Sequence, residues 1–272
     1  MSRDVRILLL LAIIIAPLVL YKPPAPKKTV PPALVAVRPL PKIIKSPVLA
    51  PVPVGKVALI FDDLGDSMKN LDDIYDLKIP VTVSVIPGLK FSENIVQVAS
   101  RCGFSVMVHL PLESKDEKLR YGRLKLIGAY LGEKEIKLLL GKYLSSLRPV
   151  MGVNNHMGSL ATEDHKLMDM VMREVKKRGL VFVDSRTSPK SVAYDDCVAH
   201  GMTCAYNESF LDAVNDSEFI VKRLKEIVVV AKEKGKIIVI AHPRSKTLRI
   251  LKRELPSLKN EVEFITLNKY LE

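Results

Sequence analysis

The chain has 272 residues, of which 48% are hydrophobic, and a formal charge of +12. The apolar share is enough for a sizeable core and excludes global disorder. The charge would suit a nucleic-acid-binding protein, but residues 1–55 hold eight Lys/Arg against one acid, whereas residues 56–272 hold 34 against 29. Because the mild excess in residues 56–272 forms no basic stripe interleaved with aromatic residues, we predict no nucleic-acid partner.

Residues 1–22 have the pattern of an export signal. Arg3 and Arg6 precede an apolar run over residues 7–21, and Lys22 ends it. The run is short of the roughly 20 residues that a full membrane span needs, and no clear small-x-small cleavage site precedes Lys22. We therefore predict a signal peptide or an N-terminal membrane anchor, membrane contact through this segment, and a periplasmic or membrane-anchored location facing the envelope.

Residues 23–55 read as a Pro-rich basic linker. They contain ten prolines, several lysines and no acid. This composition favours an extended polyproline II conformation and cannot bury a core. The segment would serve as a semi-rigid spacer whose lysines rest on anionic lipid head groups, or as a plain disordered linker.

Residues 56–272 alternate β-branched runs with amphipathic helical patterns, which predicts a third segment, a folded domain. The strand candidates are Val57–Phe61, Val81–Ile86, Ser105–His109, Val150–Asn154, Val181–Asp184, Thr203–Tyr206, Ile237–Ala241 and Glu263–Thr266. Repeated strand–helix units imply parallel strands joined by right-handed crossovers. We predict an α/β fold, an irregular (β/α) barrel of seven or eight mostly parallel strands.

Polar side chains follow most of the predicted strands, where such a barrel carries its functional residues. The candidates, in chain order, are Asp62, Asp63, His109, Glu113, Asn154, Asn155, His156, Asp184, Arg186, His242 and Arg244. Three of the five histidines fall at these strand ends. Acids and imidazoles from distant positions are therefore expected to meet at one rim.

Imidazole and carboxylate together suit a divalent metal such as zinc, with three protein ligands and an open position. A cation would also explain the adjacent acids Asp62 and Asp63. Neighbouring strand residues point to opposite sides, so we expect one acid to bind metal and the other to face the water as general base. The alternative is that the pair caps the next helix.

Other rim residues allow two interpretations each. Glu113 follows His109 at a spacing where a turn could return it to the same cation, or it is a loop acid. Asn154 and Asn155 could serve turn geometry. His242, held by Pro243, suits a general acid or an oxyanion stabiliser.

The remaining polar candidates are less specific. Arg186 and Arg244 could hold an anionic group, orient Asp184, or form structural salt bridges. Cys197 and Cys204 could form a disulfide in an exported protein or remain two buried thiols.

Six segments occur in an order that is specific as a set. They read VALIFDDLGDS, VTVSVIPG, VMVHLPLES, GVNNHMGSLAT, FVDSRTSPKSVA and IVIAHPR. Together they resemble the divergent polysaccharide deacetylase family, a bacterial envelope branch related to NodB-type carbohydrate esterases, over essentially all of residues 56–272. The resemblance implies an irregular (β/α) barrel, a secreted or periplasmic location, and metal-dependent removal of N-acetyl groups from a polysaccharide.

The resemblance also implies roles for the site residues. Asp62 matches the catalytic base, Asp63 a metal ligand, and His109 the first histidine of the His-x-x-x-His metal pair. Glu113 stands where that pair has its second histidine, so His156, in a motif of this branch, is the best replacement ligand.

The late motif IAHPR resembles the Leu-x-His motif, which makes His242 the general acid. The Arg-Pro and Asp-x-x-Asp-Trp motifs have no clear equivalent, and Asp184 and Arg186 are positional substitutes. Asn155 and Arg244 join Glu113 as substrate-binding or supporting residues.

These observations predict an exported, zinc-dependent hydrolase that deacetylates a cell-envelope or environmental polysaccharide. The alternative is a catalytically inactive envelope module that binds glycan and retains the metal site.

Overall fold

The computed structural model of the protein describes residues 54–272. The predicted signal or anchor at residues 1–22, and the linker as far as residue 53, lie outside the described residues. Within residues 54–272, none of the helices combines the length and the apolar character needed to cross a membrane.

The described chain forms one parallel sheet. Its strands are β1 Gly55–Leu64, β2 Thr82–Val85, β3 Ser105–Leu112, β4 Gly152–Met157, β5 Val181–Asp184, β6 Cys204–Tyr206, β7 Ser209–Phe210, β8 Lys236–Ala241 and β9 Val262–Ile265. They lie in the order β6-β5-β4-β3-β2-β1-β8-β7, and β9 pairs with β1 beside this path. All eight predicted strands are present, and the two-residue β7 is an addition too short to show a sequence period.

Helices connect most of the strands. They are α1 Met68–Tyr75, α2 Ser92–Arg101, α3 Glu133–Ser146, α4 His165–Lys177, α5 Ala193–Ala199, α6 Ser217–Lys234, α7 Ser245–Leu258 and α8 Leu267–Leu271, with 3-10 turns at Glu117–Tyr121 and Ala161–Glu163. Helices α4 and α6 are each preceded by an aspartate as the N-cap residue. Asp164 accepts hydrogen bonds from the backbone N–H groups of Lys166 and Leu167, and Asp216 accepts one from that of Phe219. These side chains satisfy donors that a helix start leaves without partners.

The two faces of the sheet belong to two separate cores. On β1, Val57, Leu59 and Phe61 pack in the large core that the helices cover. The alternate residues Ala58 and Ile60 belong to a smaller core on the concave face, which α8 helps to fill. This period of two, apolar on both faces, is what a buried parallel strand requires.

The sheet curls into a half-barrel with one open seam, which confirms the predicted fold class. Strands β6 and β7 stand at the two ends of the path and are not paired with each other in the described sheet. A disulfide joins Cys197 of α5 to Cys204 of β6, whereas Cys102 is free and exposed. The bond fastens the edge strand β6 to the helix that precedes it.

Candidate metal centre

A bulge at the end of β1 brings two adjacent acids to one place. Between Phe61 and Leu64, β1 advances three residues while β2 advances two, from Val83 to Val85. Asp63, inside this bulge, has a left-handed φ of 61°. A bulge of this kind re-aims side chains at a strand end.

The prediction that Asp62 and Asp63 point to opposite sides is therefore wrong. Asp62 Oδ2 lies 3.6 Å and Asp63 Oδ1 lies 3.2 Å from the same atom, His109 Nε2. The opposite orientation assumes a regular strand, and the extra residue and left-handed backbone remove that regularity.

Asp63, His109 and His156 form a group whose ligand atoms all lie within 4.8 Å of one another. The residues come from the carboxyl-terminal parts of β1, β3 and β4. His156 Nδ1 is 2.9 Å from Asp63 Oδ1, and the two imidazole rings meet edge to face at 4.9 Å. One carboxylate and two imidazoles are a donor set typical of a divalent transition metal.

Asn154 determines which nitrogen of His109 faces this group. Its amide nitrogen donates to both Asp62 oxygens, at 2.9 and 3.1 Å, so its oxygen is the acceptor for His109 Nδ1 at 2.9 Å. Nδ1 of the imidazole then carries the proton, and Nε2 presents its lone pair. Histidines that bind metals are commonly held in one tautomer by such a hydrogen bond.

The electrostatics of the group favour a cation. With its lone pair outward, His109 Nε2 faces two carboxylates, an arrangement that needs a proton or a metal ion between the electron-rich atoms. Burial alone would lower the pKa of His109, but Asp62 and Asp63 raise it above its ordinary value. Burial would raise the pKa of Asp63, yet hydrogen bonds and charge from His109 and His156 hold that pKa well below its usual range. The residues therefore fit a bound divalent metal.

Asp62 occupies a drier position than Asp63. Its side chain is 3% exposed, whereas that of Asp63 is 38% exposed. Burial raises the pKa of Asp62, although His109 and the hydrogen bond from Asn154 oppose the shift. A buried carboxylate with a raised pKa at the edge of a cation site is suited to accept a proton.

A second pair borders the group, His242 directly after β8 and Asp212 after β7. His242 Nδ1 lies 2.8 Å from Asp212 Oδ1, and the backbone N–H of His242 donates to Asp212 Oδ2 at 3.1 Å. Thr247 Oγ1 donates to the same carboxylate at 2.7 Å. His242 Nε2 is thereby directed toward Asp63, 3.7 Å from Oδ2.

The charge of Asp212 also tunes the imidazole. Burial alone would lower the pKa of His242, but the hydrogen bond and charge of Asp212 raise that pKa above its ordinary value. A protonated His242 could therefore give a proton to a group bound beside Asp63. Arg244 supports the pair from outside, because its Nη1 donates to the backbone oxygen of Asp212 at 2.7 Å.

Glu113 is not part of the group, so the sequence-based option that it returns to the cation is wrong. It is buried, and its Oε2 accepts the backbone N–H of Ala129 at 3.1 Å. A Cβ at Gly128 would lie 2.2 Å from the same oxygen. The loop after β3 packs directly on this carboxylate, which holds it away from His109.

Asn155 and Asp184 organise loops and do not belong to the group. Asn155 Oδ1 accepts the backbone N–H of Ser185 at 2.8 Å and its Nδ2 donates to the Met157 oxygen at 2.8 Å. Asp184 accepts the backbone N–H of Arg186 and the hydroxyl of Ser191, both at 2.8 Å. The guanidinium of Arg186 does not orient Asp184; it lies over the ring of Tyr206, 3.7 Å from its centroid.

Asp212 is a residue of the site that was not among the sequence candidates. Asn154 was a candidate whose alternative was turn geometry, and it is buried and connects Asp62, His109 and Ser185. Asp212 follows β7, a strand with no sequence signal. A signal for Asp212 existed nonetheless, because a histidine held in one orientation at a strand end needs a hydrogen-bond partner for its second nitrogen.

The fold and site define a class, an α/β protein with a curled parallel sheet whose strand ends gather an aspartate and two histidines. The chain belongs to the divergent polysaccharide deacetylase family, whose model matches residues 59–271.

Similar proteins occur in other bacteria. An uncharacterized protein of Haemophilus influenzae is 29% identical over 212 residues, which cover 78% of this chain and 75% of that protein. The uncharacterized protein YibQ of Escherichia coli K12 is 25% identical over 84% of this chain and 70% of its own length. The crystal structure of an uncharacterized protein of Agrobacterium tumefaciens C58 superposes with a TM-score of 0.74 at 20% identity, over 81% of this chain and 91% of that one. The last likeness supports the fold alone.

Proposed function

We propose that the protein is a metal-dependent hydrolase that removes N-acetyl groups from a polysaccharide. The observation that carries the proposal is the grouping of Asp63, His109 and His156, with Asp62 buried on one side and His242 directed toward it from the other. Membership in the divergent polysaccharide deacetylase family supports the substrate class.

Asp63, His109 and His156 would hold the ion, and we propose zinc because the donor set is nitrogen-rich. When bound, the ion supplies Lewis-acid polarisation of the acetyl carbonyl and lowers the pKa of water. Asp62 takes a proton from the attacking water, while Asn154 keeps its carboxylate in place. His242, held by Asp212, donates a proton to the leaving amine.

We further propose that the protein is exported and works in the envelope, held near the membrane by residues 1–22. The disulfide between Cys197 and Cys204 supports this location, because such bonds persist in oxidising compartments. The basic, proline-rich segment that precedes β1 would act as a spacer between the membrane surface and the domain.

Acetate release from chitin oligomers and peptidoglycan fragments tests the activity. We expect the metal-loaded wild type to release acetate and Asp62→Asn to lower kcat by about 10²- to 10⁴-fold, because the amide accepts no proton. The matched control is Asp195→Asn, which changes an exposed aspartate of α5 in the same way. A wild type and an Asp62→Asn variant that are equally inert on all these substrates would contradict the proposal.

Elemental analysis of the purified protein tests the metal ligands. His109→Ala and His156→Ala should each reduce the bound metal strongly, because each removes one of three protein donors. His200→Ala is the control, since His200 pairs with Asp169 outside the group. Unchanged metal content in both variants would show that the ligands are elsewhere.

One observation favours the alternative, an envelope module that binds glycan without turnover. Glu113 replaces the second histidine of the NodB-type pair and its carboxylate lies in a backbone turn instead of at the group. Retention on a glycan column without acetate release, unaffected by Asp62→Asn, would support this function.

A further inference from the structure

The open seam of the half-barrel forms a second cleft beside the metal centre. A cavity of about 680 Å³ lies there, bordered by the loop after β5, by β6 and β7, and by α6. Phe210 lines this cleft and stacks on the His242 ring at 6.4 Å with an interplanar angle of 10°. The cleft therefore begins next to the proposed proton donor.

Arg186 offers the cleft a cation without an acidic partner. Its guanidinium rests on the Tyr206 ring, and both residues line the cavity. Among residues 54–272, no carboxylate lies within ion-pair distance of this guanidinium. Its backbone has a left-handed φ of 52°, fixed by the hydrogen bond of its N–H to Asp184. The loop thus holds Arg186 in a defined place at the cost of backbone strain.

Two residues that line the cleft, Arg223 and Ser209, each carry a buried polar atom without a hydrogen-bond partner. Arg223 of α6 contacts Glu226 through Nη1 at 3.2 Å, but its Nε is buried without a hydrogen-bond partner. The Oγ of Ser209 is buried without one as well. Such groups are costly unless a partner arrives. Both atoms are closed to solvent, so they mark an incompletely satisfied wall of the cleft and do not themselves contact a ligand.

The charge balance of the cleft points to an anion. Arg186, Arg223 and Lys234 line it, and Glu208 is the one acid among the described lining residues. Glu208 is already paired with Lys234. Arg223 is paired with Glu226 outside the lining residues, so Arg186 is the lining cation without an acidic partner among residues 54–272. Arginine is well suited to carboxylates because its planar fork matches two oxygens.

We propose that this cleft binds a carboxylate-bearing sugar residue of the same glycan chain whose N-acetyl group reaches the metal centre. The inference rests on the proposed function and specifies its substrate as an acidic glycan. The contact between Phe210 and His242 places the two positions next to each other.

Equilibrium binding to the full-length chain tests the inference, with Asp62→Asn as background so that no ligand is turned over. The probe is an oligosaccharide of alternating N-acetylglucosamine and glucuronic acid, compared with the same oligosaccharide after reduction of its carboxyl groups to alcohols. We expect the acidic form to bind at least about tenfold more tightly, the effect of one hydrogen bond to a charged group. If the acidic and the reduced oligosaccharide bound with equal affinity, the proposal would be overturned by this comparison alone.

Substitutions in the cleft test whether the preference for the acidic oligosaccharide arises there. Arg186→Gln and Arg223→Gln should each weaken binding of the acidic form about tenfold and leave the reduced form unchanged. Arg253→Gln, an exposed arginine of α7 outside the cleft, should change neither. If Arg186→Gln and Arg223→Gln weakened binding of the acidic form no more than Arg253→Gln does, the assignment of the binding site to this cleft would be overturned. The assignment to a sugar carboxylate would be overturned if inorganic phosphate bound the cleft as tightly as the acidic oligosaccharide. If the protein bound the acidic form selectively but released no acetate, the proposed hydrolase activity would be refuted, whereas the proposed acidic-glycan binding at the cleft would be supported.

Discussion

Adjacent carboxylates can have different properties when the backbone between them departs from a regular strand. Asp62 and Asp63 approach the same imidazole nitrogen, yet burial raises the pKa of Asp62, whereas two histidines overcome burial and lower the pKa of Asp63. The pair thus divides into an acid suited to accept a proton and an acid that stays charged. This difference between the two carboxylates depends on the left-handed backbone conformation of Asp63.

Asp212→Asn tests the residue that holds His242. The substitution keeps the shape but removes the charge, so we expect kcat for acetate release to fall by about 10²-fold or more. Loss of a hydrogen-bonded buried charge should also lower the free energy of unfolding by about 3 kcal/mol at pH 7. Urea unfolding measures the stability change, with Asp195→Asn as the control that should leave both quantities unchanged.

The stability effect of Asp212→Asn should depend on pH. Burial would raise the pKa of Asp212, but hydrogen bonds and charge from His242, and the hydrogen bond from Thr247, bring that pKa below its ordinary value. The unfolded chain therefore binds a proton at higher pH than the native protein. Stability from this carboxylate is complete above pH about 5 and is lost as the pH falls through about 4 and lower. The difference between wild type and variant should narrow over that window, and a constant difference would contradict the argument.

At the scale of elements, the sequence predicts strands and their ends well and irregular backbone poorly. Alternation of apolar runs and amphipathic helices predicted eight strands, and the parallel arrangement predicted that His109, His156 and His242 would converge. The bulge at Asp63 left no comparable pattern, because it depends on the pairing register of β1 with β2. The strand β7, and Asp212 after it, were missed because two residues cannot show a period.

The disulfide gives an element-scale prediction. Cys197 and Cys204 are seven residues apart and connect α5 to the edge strand β6. Replacing both cysteines by serine should lower the free energy of unfolding by roughly 2–3 kcal/mol, because the cross-link restricts the unfolded chain. Thermal unfolding with and without reductant measures the effect, and Cys102→Ser should behave like wild type. An unchanged melting temperature in the double variant would show that the bond does not stabilise β6.

At the scale of the whole molecule, the candidate metal centre connects distant parts of the chain. Asp63, His109 and His156 lie on three strands, and His242 follows a fourth, on the other side of β1. Each position is fixed by the hydrogen-bonded register of the sheet, so the group assembles only in the folded protein. A ligand that binds only the folded state stabilises it by mass action.

Chelation of the full-length protein should therefore lower its melting temperature. At a metal concentration about a thousandfold above Kd, binding contributes about 4 kcal/mol, which for a domain of this size corresponds to roughly 10 °C. Thermal unfolding with and without a chelator measures the shift, and excess zinc should reverse it. His200→Ala should keep the full shift, because that histidine lies outside the group, whereas His156→Ala should lose most of it. If His156→Ala retained the full response to chelator, the stabilising metal would be bound elsewhere, and the convergence of β1, β3 and β4 would need another explanation.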